Sequence, residues 1–267
     1  MQQITASIAS VRELGSAYFF IEACCPHIAK HARPGHFINV RCGSVLLRRP
    51  LAVFSVDGSS IGIFFKAQGK GTSWLAQRRA GEEIDILGPL GKGLFDENNA
   101  KRVILVAGGV GLAPLYFYLK YNFHSGAKKI LFYGARNANT IFFQNELIDM
   151  TDECFFVTED GSLGEKGLVN EELRRYFLTY SPQDGDLIMT CGPNAMIKEI
   201  ISFAESENIP CQVSLESYMG CGCGVCLSCV IPAENPEQAG ESYFRLCTEG
   251  PVVDSKKIDK QKFFNMV

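Results

Sequence analysis

Cysteines are concentrated in the segment YMGCGCGVCLSCV, which runs from residue 218 to residue 230. Cys221, Cys226 and Cys229 have the C-x4-C-x2-C spacing of plant-type two-iron clusters, and Cys247 lies downstream as a fourth thiolate. The glycines between them allow the backbone to curl around a cluster and present N–H groups to its sulfurs. The segment therefore predicts a [2Fe-2S] cluster bound by these four cysteines.

Two alternatives use the same cysteines. Cys223, Cys226 and Cys229 begin the C-x2-C-x2-C pattern of a four-iron ferredoxin, but Ala233 stands where that pattern needs a cysteine followed by proline. Four thiolates also bind structural zinc, which tolerates short cysteine spacings. The two-iron pattern is complete and is favoured, which makes Cys223 a bystander, while zinc stays open as an alternative.

A glycine turn in VILVAGGVGLAPL, residues 103–115, joins a predicted strand to a predicted helix. Its glycines allow the backbone to approach a pyrophosphate at the helix N-terminus, although such a turn can also merely close a tight connection. A second loop, CGP at residues 191–193, ends a later strand of the same predicted sheet. Loops at the carboxyl ends of parallel strands line the ligand crevice, so the two loops together predict a dinucleotide site.

Two arginines, Arg48 and Arg49, end a strand-like run in SVLLRRPLAVFSV. A guanidinium held on a strand binds phosphate in two-point geometry, although a surface arginine pair is more often only solvated. Further along, Gly69, Gly71 and Thr72 precede a short predicted helix and offer a second phosphate contact. Together these residues predict a second nucleotide cofactor.

The other thiols and imidazoles carry weaker signals. His27 and His31 are four residues apart, but Pro26 and Pro34 make a regular helix doubtful, so a metal role is not favoured. The remaining cysteines are predicted to be small buried residues, and they are Cys24, Cys25, Cys42, Cys154 and Cys211.

The elements that must position these residues fall into three parts. Residues 4–91 contain six short β-rich runs separated by turn residues, which predicts an antiparallel Greek-key β-barrel. After residue 98, apolar strand-like runs alternate with helical stretches, which predicts a doubly wound parallel sheet. The helical stretches lie around residues 113–121, 141–149, 168–178 and 194–206. From about residue 217 the chain is rich in Cys, Gly and Pro, so a metal centre must supply the order of a small irregular lobe.

The predicted fold class is therefore all-β followed by α/β. The predicted domains are a barrel over residues 1–97, a nucleotide-binding domain over residues 98–216 and an iron-sulfur lobe over residues 217–267. The formal charge of −3 does not indicate binding to nucleic acid. The sequence contains neither an export signal nor a run of about 18 apolar residues. We expect a cytoplasmic protein without nucleic-acid or membrane partners, whose eleven cysteines are available as ligands.

The order of these features resembles the ferredoxin reductase superfamily of flavoproteins. More narrowly, the chain is similar to the electron-transfer (K) subunits of class 1B, NAD-dependent dihydroorotate dehydrogenases. That similarity rests on the segments LRRPLA, VTEDGSLGEKG, MGCGCGVCLSC and LCTEGPVVD, and it covers essentially all 267 residues. The cluster motif and its position after the nucleotide domain are specific, whereas the glycine turn is shared by the whole superfamily.

The resemblance implies which residues hold which cofactor. For FAD it implies Arg49, Pro50, Leu51, Ala52, Lys66, Ala67, Gln68, Gly71 and Thr72. For NAD, the glycine turn and the CGP loop themselves predict Gly108, Gly109, Gly111, Gly192 and Pro193, with Cys191 as the candidate catalytic residue beside the nicotinamide. For the [2Fe-2S] cluster it implies Cys221, Cys226, Cys229 and Cys247. The family pattern has Ser where this chain has Ala52, so one hydroxyl contact to the flavin is missing.

The resemblance also implies a reaction and a partner. Dihydroorotate is oxidised at FMN on a separate catalytic subunit, and electrons pass through the cluster and FAD of this chain to NAD+ in pyrimidine biosynthesis. The implied assembly is a heterotetramer with two copies of each subunit. Nothing in the sequence looks like a dihydroorotate site, so this chain is expected to need its partner for orotate formation.

Three questions stay open at this point. A related FAD and [2Fe-2S] subunit of a ferredoxin-NADP reductase, a sulfide dehydrogenase or a hydrogenase shares the turn and the cluster. A non-catalytic zinc-binding interaction module is a hypothesis of another class, supported only by Ala52. Arg136 in YGARN is placed to face a 2′-phosphate, which leaves the choice between NAD and NADP undecided.

Overall fold

A computed structural model describes residues 1–234 and 242–266 of the chain. Residues 235–241 and residue 267, which belong to the predicted iron-sulfur lobe, lie outside the described residues. Within the described residues, no helix is both long enough and apolar enough to cross a lipid bilayer.

A curled antiparallel sheet of seven strands forms the first part of the chain. Its strands are β1 (Gln2–Gly15), β2 (Tyr18–Cys24), β3 (Phe37–Val40), β4 (Arg49–Ala52), β5 (Ser55–Asp57), β6 (Ser60–Lys66) and β7 (Glu83–Leu90). Their spatial order is β4-β3-β7-β1-β2-β6-β5. Along β7 buried and exposed residues alternate, as expected for a strand with one face on a core. The predicted antiparallel barrel is confirmed as a half-barrel, with seven strands because the run PLAVFSV divides into β4 and β5.

Two short helices, α1 (Pro26–His31) and α2 (Lys70–Ala76), accompany this sheet. The doubt about a helix at residues 26–31 was wrong. Pro26 occupies the first turn, where a backbone N–H has no intrahelical partner to lose and the fixed φ of proline suits the helix.

A second sheet of seven strands follows. Its strands are β8 (Arg102–Gly108), β9 (Lys128–Ala135), β10 (Glu153–Thr158), β11 (Glu165–Lys166), β12 (Asp186–Cys191), β13 (Cys211–Ser214) and, from the C-terminal region, β16 (Val252–Asp254). The order is β11-β10-β9-β8-β12-β13-β16, and every pair is parallel except β13 with β16. Strand order therefore reverses between β8 and β12, which confirms the doubly wound sheet and marks the ligand crevice.

The helices of this part agree with the apolar periodicity of the sequence. They are α3 (Leu112–Tyr121), α4 (Gln144–Asp149), α5 (Val169–Thr179) and α6 (Asn194–Ser206). Strand β8 is buried along its whole length, as expected for a parallel strand covered by helices on both faces.

The C-terminal region contributes β14 (Val230–Pro232), β15 (Tyr243–Arg245) and helix α7 (Lys260–Met266) besides β16. Strands β14 and β15 form a small antiparallel pair of their own. Because β16 joins the edge of the nucleotide sheet, the residues after 217 are tied to that sheet rather than folded separately. The predicted domain boundaries themselves stay a prediction.

Two apolar interfaces join the half-barrel to the rest. In the first, Phe54 after β4 stacks on Tyr116 of α3 with ring centroids 4.0 Å apart. In the second, Phe37 and Leu90 at the ends of β3 and β7 share a buried cluster with Met219 in the C-terminal region. Aromatic and aliphatic side chains of this size each stabilise such contacts by about 1.5–3 kcal/mol when fully buried.

The isolated cysteines are buried in most cases. Cys25, Cys42 and Cys211 have almost no exposed surface, and Cys154 is partly buried. The prediction was wrong for Cys24, whose side chain at the end of β2 is exposed.

A buried ion pair joins the first residues of β8 and β12. Arg102 Nε donates to Asp186 Oδ1 over 2.7 Å, and the side chains are only 8% and 2% exposed. We expect Asp186→Ala to lower the free energy of unfolding by roughly 3–5 kcal/mol, because it leaves the Arg102 charge buried without a partner. Denaturant unfolding measures this loss.

The matched control is Glu199→Ala, which removes the partner of Arg174 in an exposed pair. We expect a loss of about 1 kcal/mol or less there, since exposed ion pairs contribute little. Equal losses in the two variants would show that the buried pair has no special role.

Candidate cofactor sites

A cavity of about 250 Å³ lies where the half-barrel, the nucleotide sheet and the C-terminal region meet. Seven of the residues predicted to contact FAD line it, namely Arg49, Pro50, Leu51, Ala52, Lys66, Gln68 and Thr72. Ala67 and Gly71, which were predicted with them, lie outside its wall. Strand β4 and the end of β6 thus supply one side of the cavity, and the carboxyl ends of β12 and β13 supply another.

The two neighbouring arginines have different environments. Arg48 forms an ion pair with Asp85 on β7, with 2.8 Å between Nη2 and Oδ2. Arg49 donates to the carbonyl oxygen of Leu47 over 2.8 Å and, in the part of the chain that the structure describes, has no carboxylate partner. A Cβ on Gly71 would come within 2.7 Å of Arg49 Nε, so this glycine lets the guanidinium lie against α2. Arg49 is therefore the arginine that suits a phosphate group at the cavity.

Thr72 is engaged in the turn before α2. Its hydroxyl accepts hydrogen bonds from the backbone N–H groups of Gln68 and Gly69 over 3.1 and 3.2 Å. The side chain therefore fixes the backbone that carries Gln68 into the cavity wall, rather than offering a free hydroxyl to a phosphate.

The glycine turn and the CGP loop pack directly against each other. A Cβ on Gly111 would collide with the backbone carbonyl of Cys191, and one on Gly192 would lie 2.6 Å from Met196 Cε. Gly108 would likewise meet Met196 Sδ at 2.8 Å. These glycines bring the two loops of the ligand crevice together, which is a different role from approach to a pyrophosphate.

Gly109 differs from the other glycines of the turn. Its φ is +55°, and a Cβ there would have only the Tyr18 hydroxyl, at 3.8 Å, within 4 Å. The backbone at Gly109 thus faces open space, and it is the position in the turn that best suits a dinucleotide phosphate. Pro193 follows the crevice without lining the cavity, so its predicted contact with NAD stays a prediction.

Three polar side chains gather at the carboxyl ends of β12 and β13. Burial raises the pKa of the Cys191 thiol, the Glu216 carboxylate adds to that rise, and a hydrogen bond with Ser214 opposes it. Glu216 keeps exposed surface at the edge of the cavity, and desolvation by the surrounding protein raises the pKa of its carboxyl group. Cys191 therefore stays a neutral thiol, and Glu216 is the carboxylate among the residues that line the cofactor cavity.

The cysteine loop follows this cavity directly along the chain. Cys221 Sγ accepts hydrogen bonds from the backbone N–H groups of Cys223, Val225 and Cys226, each 3.4 Å long. Burial alone would raise the pKa of Cys221, but these hydrogen bonds lower it to about 6. The loop is thus shaped to stabilise a thiolate at Cys221, and the exposed Cys223 contributes its backbone N–H to that shape.

The four predicted ligands form two pairs. The N–H of Cys221 donates to Cys226 Sγ over 3.3 Å, and the Cys247 thiol lies within hydrogen-bonding reach of Cys229. Burial and this neighbour raise the pKa of Cys247 to about 12. Within the described residues, no three His, Cys, Asp or Glu side chains surround a common point suited to one metal ion.

Two pairs of thiols fit a two-iron cluster better than a zinc ion. A [2Fe-2S] cluster takes two thiolates on each iron, whereas structural zinc needs four ligands around one point. The Cys221 and Cys226 pair lies on the outer side of the loop, and Cys229 and Cys247 are buried. The cysteines therefore fit the predicted cluster, with the second pair facing the interior.

The chain that follows Cys247 is fixed to the half-barrel. The carbonyl oxygen of Gly250 accepts hydrogen bonds from the N–H groups of Lys92 and Gly93, both 2.9 Å long. A Cβ on Gly93 would collide with the carbonyl oxygen of Val252, so the two segments are in backbone contact. The motif LCTEGPVVD thus contains the predicted ligand Cys247, the hydrogen-bonded Gly250 and strand β16.

One buried amide near the cluster loop lacks hydrogen bonds. Asn39 on β3 is 1% exposed, and neither Nδ2 nor Oδ1 has a partner. A Cβ on Gly222, whose φ is +72°, would collide with Asn39 Nδ2. An unpaired buried amide costs about 1–3 kcal/mol, so this side chain calls for a partner at the loop.

The comparisons with known proteins agree with this geometry. Residues 216–259 match the iron-sulfur cluster binding domain of dihydroorotate dehydrogenase B, and residues 105–201 match the oxidoreductase NAD-binding domain. One solved structure is similar over 97% of this chain and 91% of its own, with a TM-score of 0.85 and 26% identity. It is the NADH-dependent reduced ferredoxin-NADP oxidoreductase, which was studied for flavin-based electron bifurcation. A ferredoxin reductase in carbazole 1,9a-dioxygenase shares the fold, with a TM-score of 0.67 at 18% identity over 78% of this chain and 67% of that one. Fold and site together define an oxidoreductase with the ferredoxin-reductase architecture.

Two relatives narrow this class. The dihydroorotate dehydrogenase B (NAD(+)) electron transfer subunit of Desulforamulus reducens is 34% identical over 95% of this chain and 97% of its own length. The subunit of the same name from Caldanaerobacter subterraneus subsp. tengcongensis is 33% identical over 96% of this chain and 98% of its own length. The chain belongs to the family of dihydroorotate dehydrogenase B electron transfer subunits, which confirms the resemblance seen in its motifs.

Sequence reasoning missed three residues of these sites. Ser214 and Glu216 follow the last parallel strand in VSLESY, where the rule for carboxyl ends of strands would have found them. Asn39 carried no such signal, because its position depends on a contact with a loop at the far end of the chain.

Glu216 makes stability depend on pH. Its folded-state pKa is raised above the ordinary carboxyl value of 4.5, so its contribution to stability is present below pH 4.5 and is lost as pH rises through the folded pKa. We expect Glu216→Gln to match the wild type in acid and to melt at a higher temperature at pH 7. Thermal unfolding at a series of pH values measures this.

The control is Glu207→Gln, which changes an exposed carboxylate beyond α6. We expect that variant to show no such divergence from the wild type. A melting difference for Glu216→Gln that does not change with pH would contradict the desolvation of this carboxylate.

Proposed function

We propose that this chain is the electron-transfer subunit of a dihydroorotate dehydrogenase that delivers electrons through a [2Fe-2S] cluster and FAD to NAD+. The observation that carries this proposal is the position of the two cysteine pairs directly after a cavity lined by the predicted FAD residues. Membership of the family supports the reaction, since its named members are electron transfer subunits of the NAD(+) enzyme.

The residues of the chain have separate tasks in this proposal. When bound, FAD takes up two electrons together and releases them singly, while a [2Fe-2S] cluster carries one at a time. Arg49 binds a phosphate of FAD. The part of the cavity that holds the flavin is lined by Pro50, Leu51 and Ala52. Gly109 leaves room for the dinucleotide phosphates, and Cys191 with Glu216 faces the nicotinamide at the crevice.

The named alternatives differ in their partner more than in their cofactors. A subunit of a ferredoxin-NADP reductase is the second candidate, because the oxidoreductase that shares 26% identity has that function in its name. The higher identity to dihydroorotate dehydrogenase subunits, 34% over nearly the whole chain, favours the first. A zinc-binding module is disfavoured because residues 216–259 match the iron-sulfur cluster binding domain of dihydroorotate dehydrogenase B.

The surface around the cluster loop suits a protein partner. Val225 and Leu227 lie between the predicted ligands of the loop and are 78% and 43% exposed, and Tyr218, just before the loop, is 91% exposed. Exposed apolar side chains that lie together mark a surface where a protein partner binds, and here that partner would be an electron donor close to the cluster. We propose that an FMN-containing catalytic subunit docks here, in a heterotetramer with two copies of each chain.

A cytoplasmic location is part of the same proposal. All eleven cysteines are free thiols, including the exposed Cys24 and Cys223. Such thiols stay reduced in the cytosol and oxidise readily outside it.

The proposed redox chain can be tested on the purified protein. We expect anaerobically prepared protein to show overlapping flavin and iron-sulfur absorbance, with about two irons per chain on the two-iron pattern. NADH is expected to bleach both bands at lower concentration than NADPH, because the related subunits carry NAD(+) in their name. Zinc in place of iron, with no flavin, would establish the interaction module instead.

The ligand assignment has a matched pair of variants. We expect Cys247→Ser to lose the iron-sulfur absorbance and keep the flavin, because it removes a thiolate of the buried pair. Cys223→Ser is expected to keep both, since the backbone N–H that donates to Cys221 Sγ is retained in the variant. Loss of iron in Cys223→Ser would instead favour the C-x2-C-x2-C register.

The docking surface can be tested by a charge. We expect Val225→Glu to weaken binding to the FMN-containing catalytic subunit at least about tenfold, or about 1.4 kcal/mol, because the carboxylate must be desolvated. Surface plasmon resonance with both subunits gives the affinity, and iron content shows that the cluster is retained. Leu178→Glu is the control, because Leu178 is 87% exposed on α5, away from the loop. Equal affinities for the two variants would move the docking surface elsewhere.

A further inference from the structure

Asn39 lies between the flavin cavity and the cluster loop. On β3 its neighbours Ile38 and Val40 are fully buried in the core of the half-barrel, so its own side chain projects from the opposite face. Across the sheet Asn39 is paired with Pro50, and paired residues of antiparallel strands share a face. Because Pro50 lines the cavity, Asn39 is on the side of the half-barrel that meets the cofactors.

Apolar side chains and the cluster loop lie beside the amide, while the Arg48 guanidinium is engaged with the backbone carbonyl of Asn39. Phe37 and Leu90 belong to the buried cluster that includes Met219, and Leu90 Cδ1 lies within 3.5 Å of the position that a Cβ on Gly222 would take. Within residues 1–234 and 242–266, Asn39 is the only residue with buried side-chain nitrogen or oxygen atoms that lack a hydrogen bond. A buried amide without a hydrogen bond calls for a partner, and the cluster loop is the place where that partner would lie.

The backbone of the loop offers no partner to this amide. The N–H groups of Cys223, Val225 and Cys226 are directed to Cys221 Sγ, and that of Cys221 is directed to Cys226 Sγ. The missing side chain at Gly222 is what allows Asn39 Nδ2 to reach the loop. The group that the loop is built to hold, and that accepts hydrogen bonds, is the cluster with its sulfurs.

We propose that Asn39 donates a side-chain N–H hydrogen bond to a sulfur of the [2Fe-2S] cluster and so raises its reduction potential. The inference rests on the proposed function, since it needs the cluster in this loop. Reduction adds negative charge that is shared by the sulfurs, so an N–H donor stabilises the reduced cluster more than the oxidised one. The donor belongs to the half-barrel, which makes the potential of the cluster depend on how the loop is seated against the flavin domain.

The test is a redox titration of the whole FAD-containing protein, followed by electron paramagnetic resonance of the reduced cluster. We expect Asn39→Leu, which keeps the size of the side chain and removes the donor, to lower the potential. The expected change is about tenfold in the equilibrium constant for reduction, which corresponds to 59 mV for a one-electron couple. Ser55→Ala is the control, because Ser55 is a buried polar residue on β5 at the other edge of the sheet. The reduction potential of the cluster in this variant should equal that of the wild type.

Iron and sulfide are assayed on the same samples, which separates two kinds of failure. Wild-type protein without a cluster would overturn the proposed function and this inference with it. Wild-type protein with a cluster, and Asn39→Leu with an equal cluster content and an unchanged potential, would overturn only the role of Asn39. A variant that loses iron faster at an unchanged potential would show a purely structural role and would also overturn it.

A second measurement needs only the wild-type fold. In protein labelled with 15N on asparagine side chains, we expect the reduced cluster to show a hyperfine coupling to one side-chain nitrogen, with an exchangeable proton. Its absence from the wild-type spectrum would overturn the proposal even if Asn39→Leu did not fold.

Discussion

The contact between the half-barrel and the C-terminal region is the constraint on which the function depends. Electron transfer weakens steeply with distance, so a flavin cavity and a cluster loop are useful to each other only if they are held close together. Phe37 and Leu90 belong to the same buried cluster as Met219 and the candidate ligands Cys229 and Cys247. Two of the four candidate ligands are thus part of the apolar interface, which brings the proposed cluster site close to the cavity.

The C-terminal region has little core of its own and borrows order from its neighbours. Strand β16 extends the nucleotide sheet, and Gly250 is hydrogen-bonded to the end of the half-barrel at Lys92 and Gly93. The loop between these anchors and β13 is curled by its own N–H groups around Cys221 Sγ. A cluster bound there would add a cross-link between Cys221 and Cys247, and its binding free energy would contribute to the folding of this segment.

Local patterns in the sequence were reliable where neighbouring residues decide the structure. Helix α6 begins and ends where its apolar period predicted, and the glycine turn lies between β8 and α3 as expected. Expectations failed where a single residue overrode the pattern, as with Pro26 at the start of α1 and the exposed Cys24. The glycines were correctly placed at the crevice, but most of them allow Cys191 and Met196 to pack closely rather than facing a ligand.

The sequence by itself determined the order of the three parts, the cofactor classes and the four candidate ligands, because spacing along the chain carries that information. Only the tertiary structure decided that Cys221 pairs with Cys226 and Cys229 with Cys247. It alone also placed Glu216 in the cavity and left the amide of Asn39 without a partner at Gly222. The contact of Asn39 with Gly222 joins segments from opposite ends of the chain, and it forms only when separate apolar surfaces are buried against one another.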